Sequence, residues 1–269
     1  MRIGLAIPQY GFSVPGGSIS FSDTAAWAQR AEALGFDSVW LSDHFFYSFA
    51  RYGASDEPIE AMEPLTSMGA LAVVTGRVRL GVLVLCAPFR HPAIVAKAAA
   101  TIDQLSGGRV EIGLGAGWLE QEFGAFGYRF GSVGDRFDAL DDALAITSGL
   151  FAGVDPLSHD GSVWSLDEGR LTPPPVQAPI PVWLGGKGGP RLLRLAARSA
   201  AGWNTVWRIA PDAYRATLGD VRTACDDVGR DPSTFGLSLG LYGVIGRTED
   251  DAREAFERAR ASFPADAMR

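Results

Sequence analysis

The stretch VRLGVLVLCAPFRHPAIVAKAAATIDQLSGGRVEIGLGAGW (78–118) decides the fold. Its opening, VRLGVLVL (78–85), is a near-continuous apolar run, as expected of a strand covered on both faces. HPAIVAKAAATIDQL (91–105) follows with a helical pattern, opened by a proline and closed before Gly107-Gly108. RVEIGLGAG (109–117) is then a second strand. A strand, a crossover helix and another two-sided strand specify neighbours in a parallel sheet.

The same rhythm runs outward in both directions. Upstream, RIGLAIPQ (2–9) and FDSVWLSD (36–43) read as strands. Between them a helix capped by Ser22 or Asp23 runs through Ala33 and ends at Gly35, and EPLTSMGALAVVT (63–75) reads as another helix. Downstream come a helix over 133–151, the strand PVWLGG (181–186), a helix over 190–200 and the strand GWNTVW (202–207). A helix over 211–228, the strand FGLSLGLYGVIG (235–246) and a helix capped by Thr248 complete the series. Residues 153–180 interrupt it: the consecutive prolines 173–175 cannot lie inside a helix, which predicts a surface excursion with a short hairpin. Repeated β-then-α units predict an α/β fold, a single TIM-like (β/α)8 barrel domain over 1–269 rather than an open doubly wound sheet. Only seven strands can be counted, however, because ASFPADAMR (261–269) has no strand character and an eighth strand is not evident.

Composition narrows the function classes. Of 269 residues, 47% are hydrophobic and 20% charged, which suits a soluble domain with a large core. The net charge of −7 comes without any basic block, which argues against nucleic acid as a partner. No apolar stretch is long enough to span a bilayer, so no membrane association is expected. The N-terminus runs straight into a strand pattern without a cleavage site. Cys86 and Cys225 are too few for a disulfide framework, and together these features predict a cytoplasmic protein.

In a barrel of this kind, reactive groups gather at the C-terminal ends of the strands. SVWLSDHFF (38–46) ends there on Asp43 and His44, and a carboxylate beside an imidazole can orient it and hold one tautomer. The competing reading has Asp43 capping the next segment while His44 packs on Phe45 and Phe46. GLGAGW (113–118) makes a poor dinucleotide fingerprint, but its glycines imply that something bulky approaches the backbone at this strand end. LGGKGGPRLLRLAA (184–197) carries a strand through a glycine-rich turn into a helix, where free backbone N–H groups and Lys187 suit an anion. It is not a Walker A loop, since Gly188 follows the lysine. His91 reads as a helix cap and His159 as a solvated side chain, and three scattered histidines make a metal centre an expected absence. Asp103, Arg109 and Arg136 flank turns and read as internal struts.

AEALGFDSVWLSDHF (31–45), the stretch from 78 to 123, FGYRFGSVGDRFDALDDALAI (126–146) and PPPVQAPIPVWLGGKGGPRLLRLAARSAAGWN (173–204) together resemble the luciferase-like monooxygenase superfamily, in its branch using the deazaflavin coenzyme F420. The resemblance implies a TIM-like barrel with the cofactor at the C-terminal strand ends. It places Asp43 and His44 beside the deazaflavin ring as the catalytic pair, His44 facing the reactive carbon with Asp43 holding it. Leu83-Val84 matches a non-proline cis peptide that supports the ring. Gly115, Ala116 and Gly117 match the loop near the ring, and Gly185, Gly186, Lys187, Gly188 and Gly189 match the turn that receives the phosphodiester. Sugar-phosphate dehydrogenase relatives carry a glutamate where Ala116 stands, which counts against that activity. The implied reaction is hydride transfer between F420 and a small organic substrate, for which Gln9, Tyr10 and Trp118, with Phe45, Phe46 and Tyr47, are candidate pocket residues. The alternatives are an FMN-dependent monooxygenase using dioxygen, or a flavin- or deazaflavin-binding protein without activity. Dimerisation is usual in that family, so a homodimer is expected.

Overall fold

Seven strands lie side by side in chain order, and every ladder between them is parallel. They are β1 (Gly4–Ala6), β2 (Ser38–Leu41), β3 (Arg79–Cys86), β4 (Val110–Gly115), β5 (Val182–Gly185), β6 (Gly202–Val206) and β7 (Gly236–Gly240). The helices are α1 (Phe21–Ala33), α2 (Pro64–Val74), α3 (Pro92–Ser106), α4 (Glu120–Ala125), α5 (Val133–Phe151), α6 (Pro190–Ser199), α7 (Pro211–Asp227) and α8 (Glu249–Ser262). This is a computed structural model, and it describes residues 1–206 and 210–262. The strand expected over 235–246 stops at Gly240, and the backbone from 241 to 246 forms no ladder. Among the described residues nothing joins β7 to β1, and most of the 261–269 segment lies outside them. No helix among the described residues is long and apolar enough to cross a membrane.

The caps explain where the helices begin. Ser20, rather than Ser22 or Asp23, caps α1, and Asp23 completes a capping box with it. Glu63 accepts from the Thr66 amide to start α2, and His91 accepts from the Ala93 amide to start α3. His91 is thus a cap, as the sequence suggests. Thr248 and Asp251 exchange the two hydrogen bonds of a capping box ahead of α8.

Alternation within the strands assigns the two faces of the sheet. On the outer face, Val39, Leu41, Leu80, Val82, Ile112 and Leu114 join the core packed beneath the helices. On the inner face, large side chains meet glycines on neighbouring strands. Trp40 occupies the space that a Cβ at Gly4 or Gly81 would need, approaching within 2.5 and 2.1 Å of those positions. Val84 does the same at Gly115 and Gly185, each 2.4 Å from a methyl group, and the Trp183 ring lies 2.7 Å from such a position on Gly236. The interior is therefore filled by a few bulky residues set against glycines, and burying each such side chain contributes roughly 1.5–3 kcal/mol. Toward the other end of the barrel, buried Glu111 accepts from Arg79 and from the Trp183 indole.

Within the excursion, Leu157–Asp160 pairs with Ser165–Gly169 as an antiparallel hairpin. Asp142 of α5 holds it, accepting from the His159 ring at 3.0 Å and from the Val163 and Trp164 amides at 2.8 and 3.0 Å. His159 is thus an anchor, contrary to the solvated side chain expected. The proline-rich arm is tied to α3 by Lys97 to the Thr172 carbonyl, Gln104 to the Pro174 carbonyl, and Gln177 to Asp103. Buried Arg109 donates to the Ser106, Val78, Ala72 and Thr75 carbonyls and the Thr75 hydroxyl. Arg136 donates to the Phe130 and Gly131 carbonyls. Asp103, Arg109 and Arg136 are struts, as their positions beside turns predict.

Candidate active site

β2 ends at Leu41, and the two ionisable residues just beyond it, Asp43 and His44, go to different partners. Asp43 is buried, and His44 stands among aromatic rings. Among the described residues, Asp43 makes no hydrogen bond to His44. Its carboxylate accepts from the Cys86 amide at 2.8 Å and from both terminal nitrogens of Arg90 at 2.6 and 3.0 Å. Arg90 also bonds Glu63 at 2.8 Å, which ties the ends of β2 and β3 to the start of α2. Burial opposes the Arg90 charge, but Asp43 and Glu63 outweigh it and hold the guanidinium above its ordinary pKa.

The carboxylate that does hold the imidazole is Glu122, on α4. Its Oε1 lies 2.6 Å from His44 Nδ1, and its Oε2 accepts from the Phe45 amide at 2.6 Å. Glu122 is 1% exposed, so this bond forms away from water. A carboxylate can only accept here, so Nδ1 carries the hydrogen and Nε2 keeps the lone pair of the neutral ring. Nε2 has no hydrogen-bond partner among the described residues. α4 is a short helix that the sequence reading passes over; the signal for it lies in WLEQEF (118–123), directly after the glycine-rich strand end.

Around His44 the neighbours are aromatic. Tyr47 and Trp118 meet its ring edge-on at 5.3 and 5.7 Å, and Tyr10 lies at 6.1 Å. Burial pushes the Tyr10 and Tyr47 hydroxyls upward in pKa, so both rings stay protonated. Phe45 points away, stacking on Phe126 at 4.1 Å and meeting Phe89 at 4.4 Å in a separate cluster. Gln9, a candidate for the pocket, instead has both ends of its amide engaged with the Ser42 backbone and is 2% exposed. It ties the end of β1 to the end of β2.

The glycines near the mouth have internal reasons. The bulk implied at Gly115 is the Val84 side chain, which also dictates Gly185. Gly117, at φ +80°, faces the Cys86 sulfur and the Phe123 ring. Ala116 packs against the main core. The Leu83–Val84 peptide is cis, and the β3–β4 register shifts between Val82 and Leu85. The turn between β5 and α6 differs in character. Gly186 and Gly188 have φ of +156° and +83°, Lys187 and Gly189 are exposed, and no side chain caps α6. The Trp203 indole pins the Gly186 carbonyl at 2.9 Å, leaving the first-turn amides of α6 without a side-chain partner. Open amides at a helix start with an exposed lysine beside them are chemistry that suits an anion.

A family model for luciferase-like monooxygenases matches residues 1–269. The chain is 33% identical over 247 residues to the phthiodiolone/phenolphthiodiolone dimycocerosates ketoreductase of Mycobacterium sp. (strain JLS), covering 85% of this chain and 64% of the relative. It is 33% identical over 231 residues to the F420-dependent hydroxymycolic acid dehydrogenase of Mycobacterium tuberculosis (strain ATCC 25618 / H37Rv), covering 86% and 61%. The chain thus spans less than two thirds of the length of these curated relatives. Among solved structures, an F420-dependent secondary alcohol dehydrogenase in complex with an F420-acetone adduct is similar, with a TM-score of 0.74 and 28% identity, covering 88% of this chain and 68% of that one.

Proposed function

We propose, since the chain belongs to the luciferase-like monooxygenase family, that it is an oxidoreductase moving a hydride between coenzyme F420 and an alcohol or carbonyl carbon. The observation that carries this reading is the His44–Glu122 pair: a buried carboxylate fixes Nδ1–H and leaves Nε2 free at the C-terminal mouth of the barrel. The names of the relatives and of the similar structure support the choice of cofactor and of reaction class. The glycine turn at 185–189 fits the cofactor's phosphodiester, through open amides of α6 and the Lys187 ammonium. When bound, coenzyme F420 supplies the carbon that accepts or releases the hydride.

The chain's own residues supply positioning and the proton. In alcohol oxidation, His44 Nε2 takes the hydroxyl proton as the carbon gives up its hydride, and Glu122 stabilises the imidazolium so formed. In the reverse direction the imidazolium returns that proton to the carbonyl oxygen. Tyr10, Tyr47 and Trp118 surround the imidazole, and the protonated phenols add no negative charge there. Asp43 acts at one remove, through Arg90 and the Cys86 amide, by fixing the backbone from which His44 projects.

Fluorescence titration of the purified protein with coenzyme F420 and with FMN tests the cofactor. Quenching by F420 at much lower concentration is expected, and tight binding of FMN alone would overturn the reading. His44→Ala should lower kcat by about 10²- to 10⁴-fold while sparing F420 affinity.

A further inference from the structure

His44 is the inner end of an aromatic patch that leads toward the surface. Beyond Tyr10 and Tyr47, Phe12 stacks on Tyr10 at 5.0 Å and meets Tyr47 at 5.6 Å. Phe49 continues the series, 5.3 Å from Phe12 and 5.0 Å from Tyr47. Tyr10, Phe12, Tyr47, Phe49 and Trp118 belong to neither of the two apolar core clusters. Phe12 is 39% exposed and Trp118 36%, although both are large rings beside a buried acid–base pair. Glu122, the carboxylate at the inner end of the patch, has both oxygens already engaged. A cation lies against the patch: the Arg51 guanidinium is 5.2 Å over the Trp118 ring.

A half-exposed aromatic surface continuous with a reactive group is a ligand surface, and its chemistry selects the ligand. Its face is built of aromatic rings, which suit an apolar group rather than a polyhydroxylated one. Building on the hydride-transfer reading above, we propose that this patch is a subsite for the apolar substituent of the substrate. The preferred substrate is then a secondary alcohol or ketone bearing a long alkyl or aryl chain. That chain runs outward over Tyr47, Phe12 and Phe49 while the reacting carbon stays at His44. Each methylene seated on the rings should raise kcat/KM about fourfold, the equivalent of ~0.8 kcal/mol, until the patch is filled.

Two measurements on the F420-loaded protein test this. The first is kcat/KM for the alkan-2-ols from propan-2-ol to decan-2-ol; the second is calorimetric binding of decan-2-one, which needs no turnover. The native chain should show a steep rise with chain length. Phe12→Ser/Phe49→Ser should flatten it and weaken decan-2-one binding at least tenfold. A flat profile in the native chain, or equal decan-2-one affinity in both proteins, would overturn the proposal. Circular dichroism and the F420 titration check that the variant is folded. If it is not, Phe12→Ser alone, at a ring already 39% exposed, serves as the variant. Decan-2-one binding that depends on the rings, without oxidation of any alcohol, would retain the subsite and remove the hydride-transfer reading.

Discussion

Replacing Asp43 with asparagine should destabilise the barrel far more than it slows the chemistry. The Asp43 side chain is 0% exposed and Arg90 17%, and two of the three bonds to the carboxylate come from that guanidinium. Asparagine keeps the shape and can still accept from the Cys86 amide, but it removes the charge and turns an N–H group toward Arg90. Breaking one side of a buried ion pair costs about 3–5 kcal/mol. Glu63, 38% exposed, still partners Arg90, so the lower end of that range, about 3 kcal/mol, is expected. For a domain of this size Tm should fall by roughly 6–12 °C. Arg90→Met in the same chain removes the stranded guanidinium, so the double variant should be more stable than the two single losses predict, with a coupling of about 1–3 kcal/mol. Thermal and urea melts of the four proteins give the cycle, and kcat is measured well below the melting range. The expected kinetic loss in Asp43→Asn is under about tenfold, against the 10²-fold or more for His44→Ala. An Asp43→Asn protein with native Tm and a kcat as low as that of His44→Ala would refute this division of labour, making Asp43 the direct partner of the imidazole.

Three further outcomes follow from the geometry. Glu122→Gln can accept from His44 Nδ1 or from the Phe45 amide but not from both with its single oxygen, so kcat should fall about 10²-fold while the F420 dissociation constant is unchanged. Gly185→Ala and Gly115→Ala each place a methyl 2.4 Å from Val84 and should cost about 1–3 kcal/mol in urea melts, most of it recovered when Val84→Ala is added. For the hairpin, burial opposes the Asp142 charge, but the His159 ring and the Trp164 and Val163 amides outweigh it and hold the carboxyl below its ordinary pKa. A depressed folded pKa gives stability that is present above the unfolded value and lost as pH falls through the folded one. Amide exchange at Val163 and Trp164 should therefore quicken in acid, and a profile identical to that of Asp142→Ala would count against the anchor.

The parallel sheet was legible because a two-sided strand can be built only from apolar runs such as 78–85, and because prolines and caps mark the helix starts. The end of β7 was overread: LYGVIG (241–246) is as apolar as a strand but has no neighbouring ladder to complete. At the site, residue type and strand position pointed to Asp43 and His44, yet sequence adjacency suggested a contact where each residue instead bonds a partner far along the chain. The true partner, Glu122, is 78 positions from His44, and local pattern carries no information about such a meeting. The glycines were read correctly as places of close approach. What approaches is Val84 from a neighbouring strand, a pairing set by register rather than by any motif.

The excursion carrying the 157–169 hairpin divides the chain's labour along its length. Everything that sets the imidazole, from Asp43 and Arg90 to Glu122, precedes it, and the glycine turn that suits a phosphodiester follows it. A backbone cut there would yield one fragment holding His44 and Glu122 and another holding the glycine turn. They share an interface through Val84 against Gly185 and Asp103 against Gln177. Such a pair has the makings of a two-component reporter, in which reassociation of the halves is read directly as turnover.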